Sequence, residues 1–204
     1  MAESRKNGIR PLVIKVGGSL AGTGRLGEML AMLSAAQIPI VIVPGGGPFA
    51  DAVRSLQREI NFNDAVAHRL AMLAMEQMAE WIASQCSGVK VARSLDEISD
   101  SIMDGHIPVW APLRMIGDDE SVSADWSVTS DSLAVRLAEL LDARLILLKS
   151  VDVADGLSAE ELAQQGVVDG FFPEIVARAG VSWSIFGPAA DEAMAAILAG
   201  EGAD

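Results

Sequence analysis

Pro11-Leu12-Val13-Ile14-Lys15-Val16-Gly17-Gly18-Ser19 is a short apolar run that ends in glycines. A second run of the same kind, Ile38–Val43, continues into Pro44-Gly45-Gly46-Gly47-Pro48. Runs rich in β-branched residues and bounded by glycine predict buried strands, and each is followed by a helical pattern. This strand–helix alternation predicts parallel strands with helices on both faces.

The same alternation continues through the chain and predicts one α/β domain over residues 1–204, a three-layer α/β/α sandwich with a mainly parallel central sheet. The predicted strands are Pro11–Val16, Ile38–Val43, Gly88–Val91, Pro108–Trp110, Arg144–Lys149 and Val181–Phe186. The predicted helices are Gly24–Ala36, Pro48–Ile60, Asp64–Ser84, Leu95–Met103, Asp131–Leu141, Ala159–Gln164, Phe172–Ala179 and Ala189–Leu198. Between them, the acidic stretch Arg114–Val128 predicts a loop or a small hairpin beside the functional site.

Composition narrows the classes of function. Half of the 204 residues are hydrophobic and 21% are charged, which excludes a disordered chain, and no apolar run is long enough for a bilayer. The net charge of −13 would repel nucleic acid, so we expect neither a nucleic-acid nor a membrane partner. A single cysteine, Cys86, and an N-terminus without a signal-peptide core predict a cytoplasmic protein.

The two glycine loops predict an anion site. Ligands of open α/β sheets bind beyond the carboxyl ends of the strands, and glycines let backbone amides approach phosphate oxygens. Each loop could instead be only a tight connection, since glycine serves wherever φ is positive. Lys15 favours the anion site, because a lysine inside an apolar strand needs a charged partner such as a phosphate.

A dinucleotide-binding site is the alternative interpretation of the second loop. Gly45, Gly47 and Ala50 fit the G-x-G-x-x-A pattern, whereas the Walker pattern is absent because Lys15 precedes its glycines. The acidic residue that should bind a ribose falls at Asp64, inside a predicted helix. Pro48 within the loop also argues against this alternative.

The second half of the chain offers a capped helix and another lysine. Thr129 or Ser130 is a good N-cap, and Asp131 suits the first turn of the helix, where it could also orient Lys15. Lys149 ends an apolar strand at the same sheet edge as the glycine loops, although a solvated lysine would fit the pattern too. His68 interrupts the otherwise apolar helix Asp64–Ser84, which must be buried on most sides, in the core or against another subunit.

These motifs together resemble the amino acid kinase superfamily, in order and over nearly the whole chain. The resemblance rests on Lys15-Val16-Gly17-Gly18-Ser19, Pro44–Pro48, Thr129-Ser130-Asp131-Ser132-Leu133-Ala134 and Leu145–Lys149 with Val151-Asp152. It implies transfer of the γ-phosphoryl group of ATP to a small anionic acceptor bearing a phosphate or carboxylate. Magnesium would arrive with ATP, no dedicated metal site is expected, and the non-catalytic alternative is an anion- or nucleotide-binding protein on the same fold.

The resemblance also implies the roles of individual residues. The implied catalytic residues are Lys15, Asp131 and Lys149. The implied ATP-binding residues are Gly17, Gly18, Ser19, Ser150 and Asp152, and the implied acceptor-binding residues are Gly45, Gly46, Gly47, His68 and Ser130.

Two departures from the superfamily pattern concern these roles. Many relatives carry a second catalytic lysine in a later helix, but the comparable stretch Val168–Glu174 has none, so Lys149 is the candidate replacement. The usual Asp-Val-Asp-Gly-Val motif is altered to Lys149-Ser150-Val151-Asp152-Val153.

A narrower resemblance concerns the acceptor. Segments Ala67–Gln77, Pro108–Pro112 and Trp126–Asp131 resemble the kinases that phosphorylate (aminomethyl)furanylmethyl phosphate in methanofuran-type cofactor synthesis. Trp110 or Trp126 could stack on the furan ring, and Asp64 or Glu76 could face its ammonium group. Uridylate, isopentenyl phosphate, aspartate and acetylglutamate remain alternative acceptors, and a homo-oligomer is expected.

Overall fold

The computed structural model describes residues 10–18, 20 and 24–201, in which a six-stranded, wholly parallel sheet is flanked by helices. The strands are β1 (Leu12–Val16), β2 (Ile40–Pro44), β3 (Val89–Ala92), β4 (Ile107–Trp110), β5 (Leu145–Leu148) and β6 (Trp183–Phe186). The helices are α1 (Leu26–Ser34), α2 (Gly47–Ile60), α3 (Asp64–Gln85), α4 (Leu95–Met103), α5 (Leu113–Ile116), α6 (Ser130–Leu141), α7 (Ala159–Gln164), α8 (Phe172–Ala179) and α9 (Asp191–Leu198). The predicted fold class is confirmed.

The strand order β3-β4-β2-β1-β5-β6 puts β1 at the centre, between β2 and β5. Val16 of β1 is paired with Pro44 of β2 and with Leu148 of β5. The residues that follow these three strands therefore leave the sheet at the same level. The two glycine loops and Lys149 meet at this edge, where the strand order also reverses and where open parallel sheets bind ligands.

The faces of β1 explain which helices reach this edge. Leu12, Ile14 and Val16 pack into the core beneath α1 and α9, whereas Val13 packs into the core beneath α6 and α8. Side chains alternate along a strand, so Lys15 shares the face of Val13 and points toward α6. Helix α6 is the helix that carries Asp131.

Two predicted regions differ in detail from the structure. Arg114–Val128 forms no hairpin, because it begins in the short helix α5 and continues as turns. Helix α3 buries one side, including Met72 and Met75, while Leu73 and Trp81 stay exposed on the other. It is therefore a core helix that also presents apolar side chains to the surface.

No described helix combines the length and the apolar character that crossing a bilayer requires.

Candidate active site

A cavity of about 600 Å³ lies at the carboxyl edge of the sheet. Both glycine loops, the start of α6 and the residues after β5 line it, with α2 and α3 on one side. Its charged or titratable lining residues are Lys15, Asp51, Arg54, His68 and Lys149. The volume is ample for a small metabolite together with the phosphate groups of a nucleotide.

Two lysines share one buried aspartate at the inner end of this cavity. Lys15 Nζ lies 2.9 Å from Asp131 Oδ1, and Lys149 Nζ lies 2.9 Å from Oδ1 and 2.8 Å from Oδ2. The three side chains are only 6%, 7% and 11% exposed for Lys15, Asp131 and Lys149. The trio carries one net positive charge, which an incoming phosphate would neutralise.

Burial and these charges set the protonation of the trio. Burial would raise the pKa of Asp131, but the charges of Lys15 and Lys149 outweigh it and lower that pKa. Burial and then the charge of Lys15 lower the pKa of Lys149 to about 8, against the opposing effect of Asp131. The predicted contact between Asp131 and Lys15 is present, and the structure places Lys149 on the same carboxylate.

The two glycine loops touch each other through their backbones. A β-carbon on Gly18 would lie 2.6 Å from Gly47 N, and one on Gly45 would lie 2.5 Å from Gly18 N. Gly47 also has a φ of +52°, a conformation that favours glycine. Close packing of the two loops is therefore one reason why glycine is required at these positions. The two predicted phosphate-binding loops are in direct contact.

Not every amide in these loops is available to a ligand. Gly17 N–H donates to Leu148 C=O at 3.2 Å, and Gly45 N–H donates to Val16 C=O at 2.9 Å. These two amides extend the hydrogen bonding of the sheet, so any contact of Gly17 and Gly45 with a phosphate must use other atoms of the loops. Gly46 and Gly47 open α2, where the first amides of a helix have no intrahelical acceptor, so they remain suited to an anion.

The N-terminus of α6 is capped by a residue that sequence reasoning missed. Thr129 occupies the predicted N-cap position, but its side chain makes no cap hydrogen bond to α6. Asp169 instead accepts hydrogen bonds from the backbone amides of Thr129 and Ser132, at 2.8 and 3.0 Å. The carboxylate comes from the connection between α7 and α8.

The other predicted site residues divide into three groups. Ser130, Ser150 and His68 line the cavity together with Gly17, Gly18 and Gly45–Gly47. Asp152 does not line it, because its Oδ1 accepts a hydrogen bond from Ala189 N at 2.8 Å and holds the segment after β6. Ser19 lies outside the described residues.

His68 is buried beside the cavity in its neutral form. Burial lowers its pKa, and this outweighs the backbone hydrogen bond and the charge that Asp125 contributes. A neutral imidazole offers a hydrogen-bond acceptor as well as a donor, so His68 can contact a polar group of a ligand.

The rim of the cavity contains an aromatic ring held by two α2 residues. The guanidinium of Arg54 lies 4.4 Å from the centre of the Trp126 ring, and Trp126 Nε1 donates to Gln57 Oε1. Trp126 thus fits the stacking role considered from the sequence. Trp110 does not, because it is fully buried in the core.

The acidic partners considered for an ammonium group lie elsewhere. Asp64 accepts a hydrogen bond from Gln57, and Glu76 accepts one from the backbone of Leu113; neither lines the cavity. Asp51 of α2 does line it. No group of three His, Cys, Asp or Glu side chains suited to a metal ion occurs within residues 10–18, 20 and 24–201.

The chain matches the model of a known protein family. A family model described as the amino acid kinase family matches residues 10–158. The chain belongs to the amino acid kinase family. It is an ATP-dependent phosphotransferase, as the sequence resemblance predicted, and the dinucleotide-binding alternative is set aside.

One relative and one solved structure are also similar to the chain. The chain is 29% identical over 147 residues to a [5-(aminomethyl)furan-3-yl]methyl phosphate kinase of Methanocaldococcus jannaschii, covering 71% of this chain and 67% of that protein. A crystal structure of uridylate kinase from Archaeoglobus fulgidus matches with a TM-score of 0.69 and 19% identity. That match covers 92% of this chain and 95% of the other, and it supports the fold.

Three functional candidates, Asp51, Arg54 and Asp169, were absent from the sequence prediction. Arg54 could have been found by placing α2 on a helical wheel that starts at the glycine loop, because it lies two turns along that helix. Asp169 contacts Phe172 N three residues later, but its contacts with Thr129 and Ser132, about forty positions earlier in the chain, carried no local signal.

Proposed function

We propose that this kinase transfers the γ-phosphoryl group of ATP to a small phosphate monoester, with [5-(aminomethyl)furan-3-yl]methyl phosphate as the acceptor, yielding its diphosphate. The observation that carries the proposal is the lysine pair on Asp131 beside two touching glycine loops. Two phosphates held side by side at a point of net positive charge is what this reaction requires.

The reaction needs little proton chemistry from the protein. An oxygen of the acceptor phosphate attacks the γ-phosphorus of ATP, and the bond from that phosphorus to the β–γ bridging oxygen breaks as ADP leaves. Lys15 and Lys149 neutralise charge on the transferring group, while Asp131 fixes their positions. The amides of Gly46 and Gly47 are suited to the acceptor phosphate.

We place the phosphate groups of ATP in the remaining part of the cavity, where Gly18, Ser150 and the lysine pair provide polar and cationic lining. Magnesium supplies further charge neutralisation of the phosphates when bound. Asp131 is engaged by both lysines, so we propose that the metal is carried by phosphate oxygens rather than by a protein cluster.

The proposed acceptor also matches the rim. Trp126 offers an aromatic face for a furan ring, and Asp51 offers a carboxylate for an ammonium group. The relative from Methanocaldococcus jannaschii supports the choice, since its name states this substrate. A cytoplasmic location completes the proposal, because the single free cysteine, Cys86, requires no oxidising compartment.

An ADP-release assay tests the proposal. The furan phosphate is compared with uridylate, isopentenyl phosphate, aspartate and acetylglutamate, with a Lys15→Ala variant as the background control. We expect turnover of the furan phosphate at the highest kcat/KM. Turnover of uridylate or a carboxylate alone would reject the acceptor and retain the kinase. Binding of ATP and magnesium in calorimetry without turnover of any acceptor would favour the non-catalytic alternative.

A further inference from the structure

Asp169 is a partly buried carboxylate with no part in the phosphoryl transfer described above. Its Oδ2 accepts hydrogen bonds from Thr129 N, Thr129 Oγ1 and Ser132 N at 2.8, 2.8 and 3.0 Å. Its Oδ1 accepts from Ser132 Oγ and, at 3.0 Å, from Phe172 N. One side chain therefore ties the first turn of α6 to the start of α8.

The residues that Asp169 holds lie on both sides of Asp131. Thr129 is the N-cap of α6, Ser132 is its third residue, and Asp131 lies between them. The first turn of a helix moves as a unit because its dihedral angles are coupled by the helical geometry. The position of the Asp131 carboxylate between the two lysines therefore depends on the Asp169 contacts.

Five donors suit the two acceptor oxygens of a carboxylate, but this carboxylate also carries a charge that a helix cap does not require. A serine, threonine or asparagine would cap α6 without charge, as Ser94 caps α4 in this same chain. Burial and the nearby charge of Asp131 raise the pKa of Asp169, so keeping it ionised is unfavourable in isolation. The two lysines compensate for the cost of this second negative charge. With Asp169 included, the site contains two positive side chains, Lys15 and Lys149, and two negative ones, Asp131 and Asp169.

We propose that Asp169 is the positioning residue of the phosphoryl-transfer site, holding α6 so that Asp131 bridges both lysines and balancing the charge of the lysine pair. This inference rests on the proposed kinase function. The groups that face Lys149 are Asp131 on α6, Lys15 on β1 and Asp169 itself. Of these, Asp169 is the one without a direct contact to either lysine.

The charge of Asp169 can be observed without any turnover. The chain has four lysines, so NMR of protein carrying ¹³C at the lysine ε-carbons resolves few signals, and a Lys149→Gln variant assigns that of Lys149. In Asp169→Asn the shape is kept and the charge is lost, and one acceptor oxygen becomes an NH2 group that faces a backbone N–H. We expect the titration midpoint of Lys149 to fall by about half a pH unit or more, because a favourable negative charge has gone.

Activity supplies the second readout. At pH 7 we expect Asp169→Asn to lower kcat about tenfold or more, with the KM for ATP changed less than about threefold, because the lysine–aspartate geometry acts on the transition state. Ser132→Ala removes one donor to Asp169 and keeps the charge, so the Lys149 titration should stay near that of the wild type. Ser94→Ala is the matched loss of a distant helix cap and should leave both readouts unchanged.

The outcomes separate this proposal from the proposed function. An unchanged Lys149 titration and an unchanged kcat in Asp169→Asn would reduce Asp169 to a helix cap and overturn the inference. If no acceptor is turned over by the wild type, the function fails, and the NMR titration alone decides on Asp169. If Asp169→Asn does not fold, Asp169→Glu, which keeps the charge, must retain the Lys149 midpoint; a fall there contradicts the inference.

Discussion

The alkaline limb of the rate profile should report Lys149. With a pKa of about 8, this lysine is about 90% protonated at pH 7 and about 10% protonated at pH 9. If its charge stabilises the transferring phosphoryl group, kcat/KM for the acceptor should fall about tenfold between these two values. The acid side should be set near pH 6 by the second ionisation of a phosphate acceptor.

The assay is ADP release at saturating ATP and limiting acceptor, repeated at intervals from pH 6 to 10 with the coupling enzymes in excess. Lys149→Arg is the matched variant, since a guanidinium stays protonated throughout this range. We expect it to be slower overall, because a planar fork replaces a point charge, and to show no fall above pH 8. A wild-type profile that is flat between pH 7 and 9, or an unchanged limb in Lys149→Arg, would refute the role of Lys149.

The same pKa has a consequence for stability, whose sign can be worked out. The folded state lowers the pKa of Lys149 from 10.5 to about 8, so between these values the unfolded chain binds more protons than the folded one. The contribution of Lys149 to the free energy of unfolding is therefore least favourable below pH 8 and rises as the pH approaches 10.5. Urea denaturation of wild type and Lys149→Met across this range measures the difference.

Lys15→Ala should lower kcat by about three orders of magnitude in the ADP-release assay, and Lys15→Arg should not restore it, because the buried position fits a point charge; near-normal turnover would make Lys15 structural. Gly18→Ala should destabilise the fold by about 1–3 kcal/mol in urea denaturation by forcing the glycine loops apart, whereas Gly27→Ala, with open space around it on α1, should be neutral or stabilising. An equal effect of both alanines would contradict the contact between the loops. The expected homo-oligomer should use the exposed apolar side of α3, so Leu73→Glu with Trp81→Glu should reduce the mass found by sedimentation, and a wild-type monomer at micromolar concentration would disprove it.

The strands and the inner part of the site could be predicted from local patterns. Short apolar runs that end in glycine or lysine mark where strands leave a parallel sheet, and the parallel arrangement brings those ends together. The sequence therefore predicts that Lys15 and Lys149 are neighbours at this edge of the sheet. The sequence also places Asp131 in the first turn of a helix and predicts its contact with Lys15. It does not predict that Lys149 contacts the same carboxylate.

The contacts between distant segments could not be predicted in the same way. Asp169 caps α6 from a separate loop, and nothing in Thr129–Ser132 shows that the cap is supplied from elsewhere. The motif position of Asp152 predicts a contact with the nucleotide. Its side chain instead accepts a hydrogen bond from Ala189, in the segment after β6. The amides of Gly17 and Gly45 donate to neighbouring strands because of the strand register. A pattern of apolar residues does not specify this register to a single residue.

The backbone contact between the glycine loops means that the proposed binding sites for the two phosphates share a wall made of backbone atoms. A displacement of either loop is transmitted to the other at once, because no flexible group lies between them to absorb it. Substitutions of Gly18 or Gly45 cannot easily adapt the site to a new acceptor, because any added carbon would clash with the opposite backbone. On the proposed function, we expect changes in substrate preference to arise at the outer cavity residues, Asp51, Arg54 and Trp126, while the spacing between donor and acceptor stays constant.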